Sequence, residues 1–294
     1  MVYPSVRMGI LTRMTLNTNS RPDPAATGPS PAVRARDLAL GYGSSVVVRD
    51  IDLDIPWGAS VAVIGPNGSG KSTFLRALAG LIDPMGGTLE VGPGAVAPVS
   101  TAMVLQATEV DRSLPVSVLE AVRIARYPST GLLGRMSDED RAAVSDAIAR
   151  VGLEDLVRRQ IHELSGGQRQ RVLVAQGLAQ GAQILLLDEP FTGLDAVSRD
   201  RTFEVVASEC ELGHSVVLST HDLGDARDCD LVLVVAGHQV AFGPPGDVLN
   251  SKVLAGAFGG QIIRLEDGTV FLDDPHHQHH HADGVPRGTH GVQP

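Results

Sequence analysis

The sequence predicts an α/β fold in which a buried parallel sheet presents a phosphate-binding loop. Three observations lead there. First, Gly65-Pro66-Asn67-Gly68-Ser69-Gly70-Lys71-Ser72-Thr73 fits the pattern G-x-x-x-x-G-K-[ST] at every fixed position. Second, Val61-Ala62-Val63-Ile64 before it reads as a buried strand, and Phe74-Leu75-Arg76-Ala77-Leu78-Ala79 after it as a helix. Third, Ile184-Leu185-Leu186-Leu187 and Ser215-Val216-Val217-Leu218-Ser219-Thr220 read as strands that end in polar pairs, Asp188-Glu189 and His221-Asp222. Open α/β sheets place their ligand contacts at such carboxyl ends.

The loop carries its own chemistry. Its glycines let backbone N–H groups curl around a phosphate without Cβ clashes, and the helix after it adds partial positive charge. Lys71 is expected to reach the β- and γ-phosphates and Ser72 to hold Mg²⁺. A ligand-free glycine turn is the bland alternative. By itself the loop specifies a nucleotide phosphate and leaves kinase, GTPase and ATPase open.

Composition narrows the class. The 294 residues make one large domain or two small ones, and 43% hydrophobic content supports a core. Aromatics are only 3%, so aliphatic side chains must fill that core. A formal charge of −10 argues against a nucleic-acid binder, which normally shows a basic footprint. Cys210 and Cys229 lack metal-site spacing and read as reduced, buried thiols. No apolar run reaches the roughly 18 residues of a membrane span, and no secretory h-region opens the chain. A cytoplasmic protein is expected, with any membrane role exercised through a partner.

Taken in order, residues 1–32 are proline-punctuated and without periodicity, and are expected to be a disordered extension. Order begins near Val33. Ile51, Leu53 and Ile55 alternate with Asp50, Asp52 and Asp54, a half-buried strand with an acidic outer face. Tyr42, between glycines, is either a hairpin aromatic packed on the sheet or a platform for a nucleobase. Residues 88–91 and 102–105 read as strands, the second followed by Gln106, at face value a surface residue. Ser117 with Glu120, and Ser137 with three acids behind it, open helices. Leu164-Ser165-Gly166-Gly167-Gln168 precedes a helical run expected from near Val172, and offers a second anion site at a helix start. Asp188 and Glu189 suit Mg²⁺ binding and water activation. A helix is expected from about Val197 to Glu211, strands over 231–235 and 239–242, and a hairpin over 261–273. The tail, 274–294, holds six of the ten histidines, either a solvated polar segment or a weak transition-metal site.

Together these stretches resemble the ATP-binding subunit of ABC (ATP-binding cassette) transporters, over about residues 33–260. The resemblance implies an α/β P-loop (RecA-like) ATPase core, an N-terminal antiparallel β subdomain and an inserted α-helical subdomain over about 107–172. It makes Tyr42 the base-stacking aromatic, Gln106 the glutamine-loop residue at the metal, and Ser165-Gly166-Gly167-Gln168 the signature. Asp188 becomes the Mg²⁺-side aspartate, Glu189 the catalytic glutamate, Gly193-Leu194-Asp195 the D-loop and His221 the switch histidine. Arg159-Gln160-Ile161-His162-Glu163, Phe191-Thr192 and the histidine tail are more like importers of manganese, zinc or ferrous iron. Gln176-Gly177 depart from the family, which usually has an arginine and a small residue there.

The resemblance further implies an ATPase with ATP and Mg²⁺ as cofactors, paired with a second ATP-binding subunit head to tail, most simply a homodimer. Integral-membrane permease subunits and an extracytoplasmic substrate-binding protein are the further partners, nucleic acid is not one, and the place is the cytoplasmic face of the membrane. An importer of another cargo, or a soluble iron–sulfur assembly ATPase, is the alternative. A P-loop kinase explains neither the signature nor His221.

Overall fold

The computed structural model describes residues 30–95, 97, 99–105, 115–127, 135–259, 262–264 and 270–272. Gln106, the turn of the 261–273 hairpin, residues 1–29 of the extension expected over 1–32, and the tail expected over 274–294 lie outside these residues. The end of that extension is corrected: Ala32 is buried and its N–H donates to Ile55 O at 2.7 Å, which ties it to the sheet that follows.

Eleven strands among the described residues fall into three sheets. β1 (Val33–Tyr42) and β2 (Ser45–Ile55) form a hairpin closed by Gly43-Ser44. Gly43 stands at φ 59°, the positive angle that a two-residue turn with glycine first requires. With β4 (Gly86–Val91) they make an antiparallel sheet of order β2-β1-β4. The acidic face expected on β2 is as read: Ile51, Leu53 and Ile55 are buried, while Asp50, Asp52 and Asp54 are exposed.

The central sheet runs β5-β6-β7-β3-β8-β9. β5 (Thr101–Val104), β6 (Ile184–Leu187), β7 (Ser215–Ser219), β3 (Ser60–Ile64) and β8 (Leu231–Val235) are parallel, and β9 (Gln239–Gly243) closes the edge antiparallel to β8. Period two divides this sheet cleanly between two cores. Val61, Val63, Ile184, Leu186, Val217, Leu233 and Val235 pack with the first helix and the antiparallel sheet. Ala62, Ile64, Leu185, Leu187, Val216, Leu218, Val232 and Val234 pack with the remaining helices. Burial on both faces explains why these strands are continuous apolar runs rather than alternating ones. The two larger sheets are tied where Arg49 N donates to Gly237 O at 3.1 Å, and where Gln239 exchanges two 3.0 Å bonds with the backbone of Asp52. β10 (Ile262–Arg264) and β11 (Val270–Leu272) pair antiparallel, the strands of the expected hairpin.

The α-helices among the described residues are α1 (Lys71–Leu78), α2 (Val118–Ile124), α3 (Asp138–Arg150), α4 (Gly166–Ala179), α5 (Ala196–Glu211), α6 (Leu223–Arg227), α7 (Pro245–Val248) and α8 (Ser251–Phe258). Three begin with reciprocal capping boxes: Ser117 with Glu120, Ser137 with Asp140, and Ser165 with Gln168. The third corrects the start expected near Val172. The Ser165 hydroxyl accepts from Gln168 N at 3.2 Å, which closes the helix already at Gly166 in spite of two glycines. The helices at 223–227, 245–248 and 251–258 carry too few turns for periodicity to reveal.

The departure at Gln176-Gly177 has a packing account. A Cβ on Gly177 would come 2.7 Å from Val104 Cγ2 and 3.0 Å from Leu185 Cδ1, so glycine lets α4 lie against β5 and β6. Gln176 Nε2 donates to Ala121 O at 2.7 Å, joining α4 to α2. Both cysteines are free; burial pushes the Cys229 thiol up to about 12 and the half-buried Cys210 to about 11, so neither is a thiolate near neutral pH. No helix of the described residues is long and apolar enough to cross a membrane.

Candidate active site

The carboxyl ends of β3, β6 and β7 lie side by side, and the expected site grows from them. After β3 the chain bends through the glycine loop. Gly65 runs so close to β8 that a Cβ there would meet Val235 O at 2.0 Å, and Gly70, at φ 108°, would strike Val48. Those two positions therefore need glycine for close packing, Gly65 against the backbone of β8 and Gly70 against the Val48 side chain. α1 opens at Lys71, whose Nζ donates to Gly65 O at 2.8 Å and Pro66 O at 3.2 Å, a cation held against the loop it is to serve.

The structure joins Ser72 and Asp188, 116 positions apart, by a 2.9 Å bond from Ser72 Oγ to Asp188 Oδ1. Ser219, buried at the end of β7, donates to the same oxygen at 2.6 Å and accepts from Glu189 N at 2.9 Å. Ser219 thus fixes both acids at once. It was not singled out from the sequence, since a serine ending an apolar strand looks like any other. Glu189 is one of three non-glycine residues with positive φ among the described residues, at 49°. Such a conformation costs a Cβ-bearing residue about 1–2 kcal/mol and, where it is kept, points to a functional demand. Glu189 lines a cavity of 130 Å³ together with His221, Thr192, Gly193 and Leu194.

Other expected residues lie around this centre. Tyr42 is 45% exposed, and its hydroxyl accepts from Arg76 at 2.9 Å. Burial alone raises that hydroxyl's pKa, but the Arg76 and Thr73 hydrogen bonds win and hold it below its usual 10.0. Asp195 caps α5 by accepting from Ser198 N at 2.7 Å, which lowers its carboxyl pKa. Among the described residues lining the Glu189–His221 cavity, none comes from 165–168. Ser165 and Gly166 are exposed at the start of α4. Gly167 is required by α5, for a Cβ there would meet Ser198 Oγ at 2.9 Å, whereas a Cβ on Gly166 would meet nothing. Gln106 cannot be placed, lying outside the described residues.

A hydroxyl beside a carboxylate, Ser72 with Asp188, is a hard-oxygen donor pair that fits Mg²⁺, and the loop with Lys71 fits a polyphosphate. Fold and site together define a P-loop nucleotide-hydrolase class of protein. Residues 48–192 match the ABC transporter family. The chain is 39% identical to the chelated iron transport system membrane protein YfeB of Yersinia pestis, over 74% of this chain and 75% of that one. It is 35% identical to the manganese transport system ATP-binding protein MntB of Bacillus subtilis, over 80% and 95%. A cobalamin import ATP-binding protein, BtuD of Halobacterium salinarum, is 41% identical over 70% of this chain but 53% of its own length. Among solved structures, an inward-facing putative metal-chelate type ABC transporter superposes with TM-score 0.70 and 26% identity, covering 82% of this chain and 95% of that one. A dimeric, ADP- and phosphate-bound post-hydrolysis ATP-binding cassette superposes with TM-score 0.60 and 25% identity, covering 72% and 98%. The chain belongs to the ABC transporter family, as an ATP-binding, ATP-hydrolysing subunit that energises such a transporter.

Proposed function

We propose that this subunit drives import of a divalent metal ion, with Glu189 as general base and His221 as contact to the γ-phosphate. The observation that carries the chemistry is the chain Ser72–Asp188–Ser219–Glu189, which links the phosphate loop to the acids through three hydrogen bonds of 2.9, 2.6 and 2.9 Å. Lys71 and the loop amides hold the β- and γ-phosphates, and Tyr42 stacks on the base. Ser72 and Asp188, with Gln106 added from the sequence alone, would hold Mg²⁺, which would offset charge on the phosphoryl oxygens. Glu189, which lines the same cavity as His221, accepts the proton of the attacking water while His221 steadies the γ-phosphate.

Within its own chain the signature segment opens α4 through the Ser165–Gln168 box and packs Gly167 against α5, which leaves Gly166 and the outer face of Ser165 without a contact of their own among the described residues. Gly166 faces open space and Ser165 is exposed, which supports a second copy of the chain bringing its phosphate loop against them, head to tail. Permease subunits at the cytoplasmic face of the membrane, and an extracytoplasmic binding protein, complete the assembly. The iron and manganese functions named for YfeB and MntB support the cargo; the cobalamin named for BtuD is the second reading, favoured by higher identity over a smaller share of that protein. The full chain, assembled with its permease in proteoliposomes, tests both. ATP-dependent uptake of Mn²⁺, Zn²⁺ or Fe²⁺ is expected. Uptake of cobalamin and of none of the three ions would overturn the metal reading.

A further inference from the structure

The cavity that receives Glu189 and His221 also receives an ion pair with no task so far. Asp225, in α6, is 2% exposed, and Arg199, in the first turn of α5, brings its guanidinium to 2.5 Å from Asp225 Oδ1. That contact is one of charge rather than an aligned hydrogen bond, since Oδ1 has no such partner among the described residues. The other oxygen, Oδ2, accepts from Thr220 Oγ1 at 2.7 Å. Thr220 Oγ1 in turn accepts from Asp222 N at 3.1 Å, and the Asp222 carboxylate accepts from Gly224 N at 2.6 Å and Asp225 N at 3.3 Å. Both neighbours of His221 in the chain are therefore held by a network that ends on Asp225. Burial raises the Asp225 carboxyl pKa, and Thr220, Arg199 and His221 all act against that rise.

Arg199 anchors the other end. It follows the turn Gly193-Leu194-Asp195 by one helical turn, on the helix that Asp195 caps. Its guanidinium lies 5.8 Å above the Phe203 ring, which stacks on Phe191 at 4.3 Å. The same helix meets α4 where Ser198 faces Gly167. The start of α5 thus touches the signature helix on one side and the His221 network on the other. A buried charge needs a charged partner, so the two elements separate only at considerable cost.

We propose that Arg199 and Asp225 are a positioning pair that holds the backbone around His221 in register with the Gly193-Leu194-Asp195 turn. The pair then governs turnover and not ATP binding. This rests on the reading of His221 as a γ-phosphate contact, and the test separates the two. Steady-state ATPase kinetics of the full chain are measured for Asp225→Asn, Arg199→Ala, Arg199→Lys, His221→Ala and His221→Ala with Asp225→Asn, with melting followed in parallel. Asp225→Asn and Arg199→Ala should each lower kcat about tenfold with KM for ATP moved less than about twofold, the scale of a misplaced reacting group. Arg199→Lys should recover to within about threefold of the parent, and in the His221→Ala background Asp225→Asn should have no further effect. If His221→Ala leaves kcat intact, the γ-phosphate reading fails and the proposal falls with it. If His221→Ala is crippled but Asp225→Asn lowers kcat equally in both backgrounds, or not at all, the positioning role alone is refuted. Should Asp225→Asn not fold, Arg199→Ala on the partly exposed side of the pair is read against His221→Ala in the same way.

Discussion

Replacing Glu189 by glycine and by alanine separates what its backbone costs from what its side chain does. Either change removes the carboxylate and the 3.2 Å bond it accepts from Thr192 Oγ1. They differ only in a Cβ at φ 49°. At an ordinary position glycine is less stable than alanine by about 0.5–1 kcal/mol, because its unfolded chain is freer. At a left-handed position the Cβ costs about 1–2 kcal/mol. The second effect is the larger, so Glu189→Gly should be more stable than Glu189→Ala by about 0.5–1 kcal/mol, or about 1–4 °C in Tm for a domain of this size. Differential scanning calorimetry on both variants checks it. An alanine variant that melts at or above the glycine variant would refute the idea of stored strain. Both variants, and Glu189→Gln, should hydrolyse ATP about 10²-fold or more slowly, the range for loss of a general base. Turnover within tenfold of the parent would remove Glu189 from that role whatever the melting shows.

Ser219→Ala deletes the donor to Asp188 and the acceptor for Glu189 N, and a bond to a charged group is worth about 1.5–3 kcal/mol; Tm should fall by about 3–12 °C, and a fall under about 1 °C would count against the shared-serine geometry. Ser165→Arg should leave nucleotide binding to the monomer intact and abolish ATP-dependent dimerisation in equilibrium sedimentation; a dimer of undiminished strength would sink the head-to-tail arrangement. Asp140 is held down to about 2 from 3.8, first by the Ser137 hydroxyl, then the Ser137 backbone, then Arg126. A depressed folded-state pKa contributes stability above the unfolded value that is lost on acidification, so the advantage of the parent over Asp140→Asn should shrink as pH falls from 3.8 through about 2. An advantage that stays constant across that window in acid melts would exclude the linkage.

Much of the candidate site was legible because its residues sit at the ends of apolar runs. The loop after 61–64, the acids after 184–187 and the histidine after 215–220 each follow a strand, and parallel strands bring their carboxyl ends together. Capping chemistry was legible in Ser117 and Ser137, and a helix start was legible at Ser165, yet the helical run was expected only from near Val172 whereas it begins at Gly166. Ser219, Arg199 and Asp225 were not legible. Their roles depend on contacts across 31 and 26 positions of sequence for Ser219–Asp188 and Arg199–Asp225, and no local pattern marks them. Gly177 looked like a deviation and proves to be a fit to Val104 and Leu185, a condition written in the neighbouring strands rather than in the helix.

The strand order β5-β6-β7-β3-β8-β9 also sets a timetable for biosynthesis. β3 ends at Ile64, but its neighbours β7 and β8 begin at Ser215 and Leu231. At about 5–20 residues per second, a ribosome needs on the order of ten seconds to supply the first of them. During that interval β1, β2 and β4 can pair among themselves, since all three lie before Gly92. The loop after β3 waits with both strand edges open, so a nascent or truncated chain lacking β7 and β8 exposes an unpaired Val-Ala-Val-Ile edge to aggregation. The strand that carries the nucleotide loop is thus among the first segments made and among the last to be enclosed.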